Sequence, residues 1–103
     1  MTEAIARKAQ RQYDKGADLN QKVVAKFFDA WGSWKWFLMN QDPADPDYCW
    51  GIVKGHEVET GSFLLSELKS LKKFGMARIE RDLYFKPTTA REILSKLEAG
   101  EHV

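Results

Sequence analysis

The sequence predicts an α+β fold: an antiparallel meander sheet of four to five strands packed against two or three helices. Runs rich in β-branched and aromatic residues fill the middle of the chain and are separated by short turns. Apolar residues at both ends of the chain instead repeat at helical spacing. Strands and helices do not alternate along the chain, so a parallel sheet is not expected.

Length and charge limit the class of protein. A chain of 103 residues matches one domain, residues 1–103. Sixteen Lys and Arg against fifteen Asp and Glu leave a net charge of +1, which argues against a strongly basic nucleic-acid-binding domain. The single cysteine, Cys49, lies between Tyr48 and Trp50, so we expect a buried thiol and a cytoplasmic location. No apolar run approaches the roughly 20 residues of a membrane span, so no membrane partner is expected.

The first predicted helix covers residues 3–15. Its apolar residues Ile5, Ala9 and Tyr13 recur at i, i+4 and i+8, with charged residues between them. Thr2 has the side chain of a helix N-cap.

Two further helices are predicted in the second half of the chain. Leucines follow helical spacing over 65–74, and Gly75 ends that helix. The C-terminal helix covers 89–99 and begins with a capping box formed by Thr89 and Glu92.

The predicted sheet covers residues 22–64. Two prolines exclude a central strand from the acidic loop 40–47, because proline removes a hydrogen-bond donor from the ladder. A further extended segment is predicted over 78–85. The four strands of the meander are predicted at 22–31, 34–39, 48–54 and 57–64.

The aromatic residues of the first hairpin fall on both faces of the sheet. Alternation places Trp34, Trp36 and Leu38 on one face, which we interpret as the core face together with Trp50. If the helices cover only that face, the other face is a binding surface. Aromatic rings beside lysines suit stacking on single-stranded nucleic acid, and equally suit a protein partner. The candidate binding residues are Trp31, Lys35, Phe37, Lys26 and Lys54.

Glu80, Arg81 and Asp82 form a candidate anion or ion-pair site. On a strand, Glu80 and Asp82 share one face, and Arg81 shares the other with Ile79 and Leu83. An arginine between apolar neighbours favours a half-buried ion pair, and an anion site is the alternative. A third hypothesis, a small hydrolase-like enzyme, requires these three charged side chains to line one pocket.

Basic residues also cluster on the first and second predicted helices. We interpret them as solvated helix faces, and the alternative is a patch that contacts phosphates if the two helices adjoin. The candidate basic patch consists of Arg7, Arg11, Lys69, Lys72, Lys73 and Arg78.

Motifs of catalysis and cofactor binding are missing from the sequence. It contains two histidines, His56 and His102, and neither belongs to a metal-binding motif. It has no nucleophile motif, phosphate-binding glycine loop or dinucleotide fingerprint. We therefore expect no catalytic residue, no metal, no cofactor and no enzymatic activity.

Four segments carry a resemblance to a known protein family. They are Phe27-Phe28-Asp29-Ala30-Trp31-Gly32-Ser33-Trp34-Lys35-Trp36, Trp50-Gly51-Ile52-Val53-Lys54-Gly55, Gly61-Ser62-Phe63 with Ser66-Glu67-Leu68, and Ile79-Glu80-Arg81-Asp82-Leu83-Tyr84-Phe85. Together they resemble the bacterial family catalogued as domain of unknown function 2958, over roughly residues 3–87. The chain departs from the family pattern at Leu64, where a serine is expected, so a helix cap is lost.

The resemblance implies a genetic context but no mechanism. It implies a protein carried on plasmids, phages and integrative elements, near genes for replication, transfer and anti-restriction. It implies no activity, cofactor or catalytic residue. We therefore expect a non-enzymatic accessory domain that binds a host or element-encoded protein. The alternative is a single-stranded nucleic-acid-binding module that uses the aromatic sheet face and the basic helices.

Overall fold

A computed structural model describes residues 1–103 and has the predicted α+β architecture. Its helices are α1 (Glu3–Arg11), a 3₁₀ helix (Tyr13–Lys15), α2 (Leu65–Ser70) and α3 (Ala90–Glu98). Its strands are β1 (Lys22–Val23), β2 (Ala25–Asp29), β3 (Lys35–Gln41), β4 (Tyr48–Lys54), β5 (Val58–Leu64), β6 (Lys72–Lys73), β7 (Met76–Ala77), β8 (Ile79–Arg81) and β9 (Thr88–Thr89).

The main sheet is antiparallel and has five strands in the order β5-β4-β3-β2-β8. Strands β2 to β5 form the predicted meander. Strand β8 joins the opposite edge beside β2, with Phe27 opposite Arg81 and Phe28 opposite Glu80. Two short two-stranded ladders, β1-β9 and β6-β7, complete the fold. None of the helices is long and apolar enough to cross a membrane.

Helices cover both faces of the sheet. One apolar cluster lies under α1 and α2 and contains Ala9, Ala25, Phe27, Trp36, Leu38, Cys49, Phe63, Leu65 and Leu68. A second cluster lies under α3 and contains Val23, Phe37, Met39, Ile52, Ala90, Ile93 and Leu97. The condition for an open aromatic face, that helices cover only one face of the sheet, is therefore not met. Phe37, a candidate binding residue, is fully buried and packs against Phe85 with ring centroids 6.3 Å apart.

Trp50 lies on the α3 face of the sheet, because it is two residues from Ile52, which is directly opposite Phe37 on that face. It packs on the second cluster, and a β-bulge between Leu38 and Asn40 places Asn40 opposite it without changing its face. The prediction that Trp50 shares the core face of Trp36 is therefore wrong.

Close approach of two backbones requires glycine at position 51. A Cβ atom on Gly51 would lie 1.9 Å from the carbonyl oxygen of Phe37 on the neighbouring strand. Its cross-strand partner Gly61 has nothing within 4 Å of the same position. A side chain can therefore be accommodated at position 61 but not at position 51.

Strand β2 is shorter than predicted, and this moves Trp31 out of the sheet. The strand ends at Asp29, whose side chain accepts a hydrogen bond from the backbone N–H of Trp31 at 2.9 Å. An aspartate that bonds the backbone two residues ahead stabilises a turn. Trp31 thus lies in the turn between β2 and β3.

Helix α1 is also shorter than predicted. It ends at Arg11, and a 3₁₀ turn replaces the rest of the predicted helix.

Helix α2 ends at Ser70, four residues earlier than predicted. Leu71 is extended, and residues 72–77 form the β6-β7 hairpin instead of the last helical turn. The turn residues Phe74 and Gly75 both have positive φ, at 53° and 78°. Two consecutive residues with positive φ make the tight turn that matches the twist of a β-hairpin. The prediction of Lys72 and Lys73 on a helix is therefore wrong.

Strand β8 ends at Arg81, so the predicted extended segment 78–85 is too long. The Asp82 side chain accepts a hydrogen bond from the backbone N–H of Tyr84 at 2.9 Å and closes a turn. Leu83 and Tyr84 consequently point into solvent, and Leu83 does not share a face with Ile79 as predicted.

Asp47 replaces the cap that Leu64 cannot supply to α2. Leu64 precedes the helix and makes no side-chain cap bond. Asp47, from the loop before β4, accepts hydrogen bonds from the Ser66 backbone N–H and from the Ser66 hydroxyl, each at 2.7 Å. These two bonds hold the pKa of Asp47 below its usual range. A residue distant in sequence thus begins the helix.

Candidate functional site

The β6-β7 hairpin carries a group of exposed apolar side chains. Phe74 at its tip is 83% exposed, and Met76 is 57% exposed. Leu71 at its base and Trp31 from the neighbouring turn are also exposed. We call these four residues the finger surface. An exposed group of large apolar side chains marks an interaction site in soluble proteins.

Aromatic rings and a lysine meet at the finger surface. The rings of Trp31 and Phe74 pack edge to face, with centroids 6.0 Å apart. The Lys73 ammonium lies 5.2 Å from the Trp31 ring centroid and 5.8 Å from that of Phe74. These distances are those of cation–π contacts. The structure therefore brings together Trp31 from the predicted aromatic surface and Lys73 from the predicted basic patch.

An ion pair between the partly exposed Arg78 and the buried Asp29 anchors the β6-β7 hairpin to the sheet. The Arg78 Nε donates to both carboxylate oxygens of Asp29 at 2.9 Å, and Asp29 is 7% exposed. The backbone N–H of Ala30 donates to the Arg78 carbonyl oxygen, also at 2.9 Å. The hydrogen bond from Arg78 holds the pKa of Asp29 below its usual range. Arg78 is thus an anchor and does not join a free basic patch.

The basic residues of α1 do not extend the finger surface. Arg7 pairs with Glu3 on its own helix at 2.6 Å. Arg11 lies at the far end of α1, where its neighbour Gln12 donates to the Met39 carbonyl oxygen at 2.7 Å. Met39 is about 13 Å along β3 from the turn that carries Trp31. Lys69 on α2 lines a pocket with Met1 and Arg81, apart from the contacts that Lys73 and Arg78 make with Trp31 and Asp29.

Three candidate lysines, Lys26, Lys35 and Lys54, lie on the α3 face of the sheet, and we call them the lysine cluster. Lys35 and Lys54 are directly opposite each other on β3 and β4. The ammonium groups of Lys26 and Lys35 both donate to a main-chain oxygen of Val103, at 2.6 and 3.3 Å. Burial, and next the charges of Lys26 and Lys54, lower the pKa of Lys35. Phe37 lies beneath the cluster rather than beside it in solvent.

The structure separates Glu80, Arg81 and Asp82. Arg81 lies on the α1 and α2 face opposite Phe27 and makes no ion pair, so the predicted pair is not formed. Asp82 pairs with Lys26 at 3.4 Å, and Glu80 is exposed. The three side chains therefore do not line the single pocket that an enzyme using them would need.

Trp34, predicted as a core residue, lies at the rim of the sheet. It is 38% exposed, packs against Trp36, and contacts the edge of His56 with centroids 5.8 Å apart. Its ring lies so close over Gly55 that a Cβ there would be 2.5 Å from it. Trp34 therefore covers a turn, and the core prediction holds for Trp36 and Leu38 alone.

Sequence reasoning did not identify a cavity of about 450 Å³ beside the 3₁₀ helix, with Tyr13, Tyr48, Trp50 and Asn40 among its lining residues. The Trp50 indole nitrogen is buried and has no hydrogen-bond partner.

No group of three or more His, Cys, Asp or Glu side chains converges on a metal-sized space. Cys49 is fully buried as predicted, and burial raises the pKa of its thiol to about 12.

The fold and the exposed hairpin together define a small α+β domain with helices on both sheet faces and a group of exposed apolar side chains at the β6-β7 hairpin. The chain belongs to the family described as "Protein of unknown function (DUF2958)", whose model matches residues 1–99. This match confirms the resemblance found in the sequence. No curated protein matches the chain, and no solved structure matches it.

Proposed function

We propose that this chain is a non-enzymatic binding domain that docks on a protein partner through the finger surface. The observation that carries the proposal is the exposure of Phe74 at the tip of a hairpin whose base is anchored to the sheet by Arg78 and Asp29. The exposed aromatic ring of Phe74 is of a kind enriched at protein interfaces, and its backbone is held by the anchored base of the hairpin. Because its geometry is already set, it loses little conformational freedom on binding.

The chemistry of the finger indicates what the partner offers. Phe74 and Met76 fit an apolar groove, and Lys72 and Lys73 flank them with positive charge. Methionine is common at interfaces because its flexible side chain adapts to the partner. We therefore propose a partner whose groove is apolar at its centre and acidic at its rim.

The family resemblance supports a context for this interaction. It implies carriage on plasmids, phages or integrative elements, so the proposed partner is a host or element-encoded protein involved in transfer or in defence.

The hydrolase hypothesis has no geometric basis, because the side chains of Arg81, Glu80 and Asp82 do not converge.

Affinity capture with matched variants tests the proposal. The full chain, Phe74→Ala and Tyr84→Ala are each used to capture proteins from a bacterial host lysate, followed by quantitative mass spectrometry. Tyr84 is the control because it is 93% exposed but lies beyond β8, outside the finger. We expect one partner to be retained by the parent chain and Tyr84→Ala and lost with Phe74→Ala. Identical capture by all three proteins, or no capture, contradicts the proposal.

The second candidate function is binding of single-stranded nucleic acid at the same surface. The observation that favours it is the Lys73 ammonium above the Trp31 ring, since bases stack on aromatic rings and phosphates contact lysines. Gel mobility of single-stranded DNA at increasing salt tests it. A shift that weakens with salt and with Trp31→Ala, but not with Tyr84→Ala, supports this function. Unchanged mobility at low salt excludes it.

A further inference from the structure

We propose that strand β5, an open edge of the main sheet, pairs with β5 of a second copy of this chain to form a two-fold symmetric dimer. Strand β5 begins the order β5-β4-β3-β2-β8. The finger surface is anchored through Asp29 on β2, which is next to the other edge strand, β8. The two surfaces therefore lie at opposite edges of the sheet, and this proposal does not depend on the function proposed above.

The hydrogen bonds at the two ends of the β4-β5 ladder show which backbone groups of β5 point outward. The Gly55 N–H donates to the Glu57 carbonyl oxygen, and the Leu65 N–H donates to the Asp47 carbonyl oxygen, each at 3.0 Å. Because such bonds recur at every second residue of an antiparallel pair, β5 bonds β4 through its odd-numbered residues. The N–H and C=O groups of the even-numbered residues therefore point away from β4. No turn or loop of the chain pairs with those of Val58, Thr60 and Ser62.

Strand β5 lacks the features by which proteins keep an edge strand from pairing with another chain. Those features include a very short strand, a lysine, a proline, a β-bulge or a covering segment. The seven residues Val58–Leu64 pair with β4 without a register shift and include neither lysine nor proline. Glu59, Thr60 and Ser62 are exposed, so nothing covers the middle of the strand. The opposite edge strand, β8, has only three residues.

A two-fold axis at Thr60 pairs all the free backbone groups of this edge. It places Thr60 opposite the partner's Thr60, and Val58 opposite the partner's Ser62. Since each of these residues directs its N–H and C=O outward, the three residue pairs between the copies form two hydrogen bonds each. A pair of threonines directly opposite each other also stabilises a sheet.

The side chains of β5 are compatible with a second copy of the same strand. In this register Glu59 lies opposite the partner's Gly61, so like charges are not directly opposite. Nothing lies within 4 Å of a Cβ position at Gly61, which leaves room for the Glu59 side chain. The Glu59 side chains of the two copies are diagonal neighbours about 7–8 Å apart, where solvent and salt screen their repulsion. The strand is therefore complementary to itself, and we name a second copy as its partner.

The dimer leaves both finger surfaces accessible. Ten strands spaced about 4.8 Å apart place the two β8 strands roughly 40 Å from each other, at the outer edges of one continuous sheet. Each outer edge carries one finger surface, so the dimer presents two copies of that surface in a fixed arrangement.

Sedimentation equilibrium of the full chain tests for the dimer. Protein concentration is raised to about 1 mM, which populates even a dimer with a Kd in the micromolar range or weaker. We expect the mass to rise from that of one chain toward that of two chains, and Phe74→Ala to behave as the parent does. A mass of one chain at every concentration overturns the proposal, as does a dimer that Phe74→Ala dissociates.

Charge variants at Thr60 test the position of the two-fold axis. Thr60→Lys alone and Thr60→Glu alone each place like charges opposite each other, so we expect each to be monomeric. An equimolar mixture places opposite charges across the axis and should restore the mass of two chains, which also shows that both variants are folded. Thr60→Ser adds no charge and is the control that keeps the dimer. Dimers that persist in both charged variants, or folded variants whose mixture stays monomeric by the same measurement, refute the proposed pairing.

Discussion

The paired glycines Gly51 and Gly61 give a sharp test of how the central strands pack. They are direct cross-strand partners on β4 and β5. We predict that Gly51→Ala strongly destabilises the protein and that Gly61→Ala does not. Both changes add one methyl group to one residue pair, so the comparison isolates the surroundings of each position.

The expected magnitude comes from the contact that the new methyl group would make. A Cβ atom at position 51 would lie 1.9 Å from the Phe37 carbonyl oxygen. The closest comfortable carbon–oxygen approach is about 3.3 Å, so β3 and β4 must separate by more than an ångström. That movement breaks one or two ladder hydrogen bonds, each contributing about 1 kcal/mol, and loosens the core beneath. We expect a loss of about 2–4 kcal/mol, in the range typical of severe core substitutions.

The substitution at Gly61 is expected to change the free energy of unfolding in the opposite direction. Nothing lies within 4 Å of its Cβ position, and its φ is not in the left-handed region. Alanine restricts the unfolded chain more than glycine does, so Gly61→Ala is expected to stabilise the protein by about 0.5–1 kcal/mol.

Urea and thermal unfolding, followed by tryptophan fluorescence and circular dichroism, measure both changes. For a domain of this size, the loss at Gly51 corresponds to a fall in Tm of about 10–25 °C. A Gly51→Ala variant as stable as the parent, or two variants that shift equally, would refute the strand contact on which this reasoning depends.

Three further predictions concern charged and reactive groups. Asp29→Asn is expected to loosen the β6-β7 hairpin. Because the folded-state pKa of Asp29 lies below its ordinary 3.8, its contribution to stability is present above that pH and is lost on acidification. The free energy of unfolding of the variant should therefore fall less steeply with decreasing pH than that of the parent. Because burial lowers the folded-state pKa of Lys35, the parent should gain stability as pH rises toward 10.5, and Lys35→Gln should lack that part of the gain when urea unfolding is measured against pH. Cys49, fully buried with a pKa of about 12, is expected to resist iodoacetamide until the protein is unfolded in urea, which mass spectrometry detects; rapid labelling of the native protein would contradict this.

Local sequence signals predicted much of the fold. Alternation and turn residues located β3, β4 and β5, and Thr2 caps α1 through a 3.2 Å bond from the Ile5 backbone N–H. Thr89 likewise caps α3 by accepting from the Glu92 backbone N–H at 3.3 Å. These features depend on residues close in sequence, so a single chain is enough to identify them.

The sequence did not predict the β6-β7 hairpin because the residues of its turn are unusual. Tight hairpin turns favour Asn-Gly or Asp-Gly, and here Phe74 occupies the first position with a positive φ. The leucine spacing before it continued a helical pattern through Leu71, which favoured one longer helix. The helix instead stops at Ser70, and the exposed side chains of the finger follow from that stop.

The structure groups the basic residues differently from the two candidate surfaces predicted from the sequence. Lys73 contacts Trp31 at the β6-β7 hairpin, while Lys35 and Lys26 converge on Val103 on the α3 face of the sheet. Arg78 is used in an ion pair with Asp29, which is 49 residues away in sequence. No local pattern reports such a distant pairing.

The sequence by itself determined the α+β class, the family and the caps of the first and last helices, because periodicity and capping act over a few residues. Only the tertiary structure decided which aromatic residues meet solvent. Helix α3 covers the second face of the sheet and buries Phe37, while the turn at Asp29 leaves Trp31 exposed. Exposure depends on what packs from elsewhere in the chain, and alternation along one strand describes only which side chains share a face.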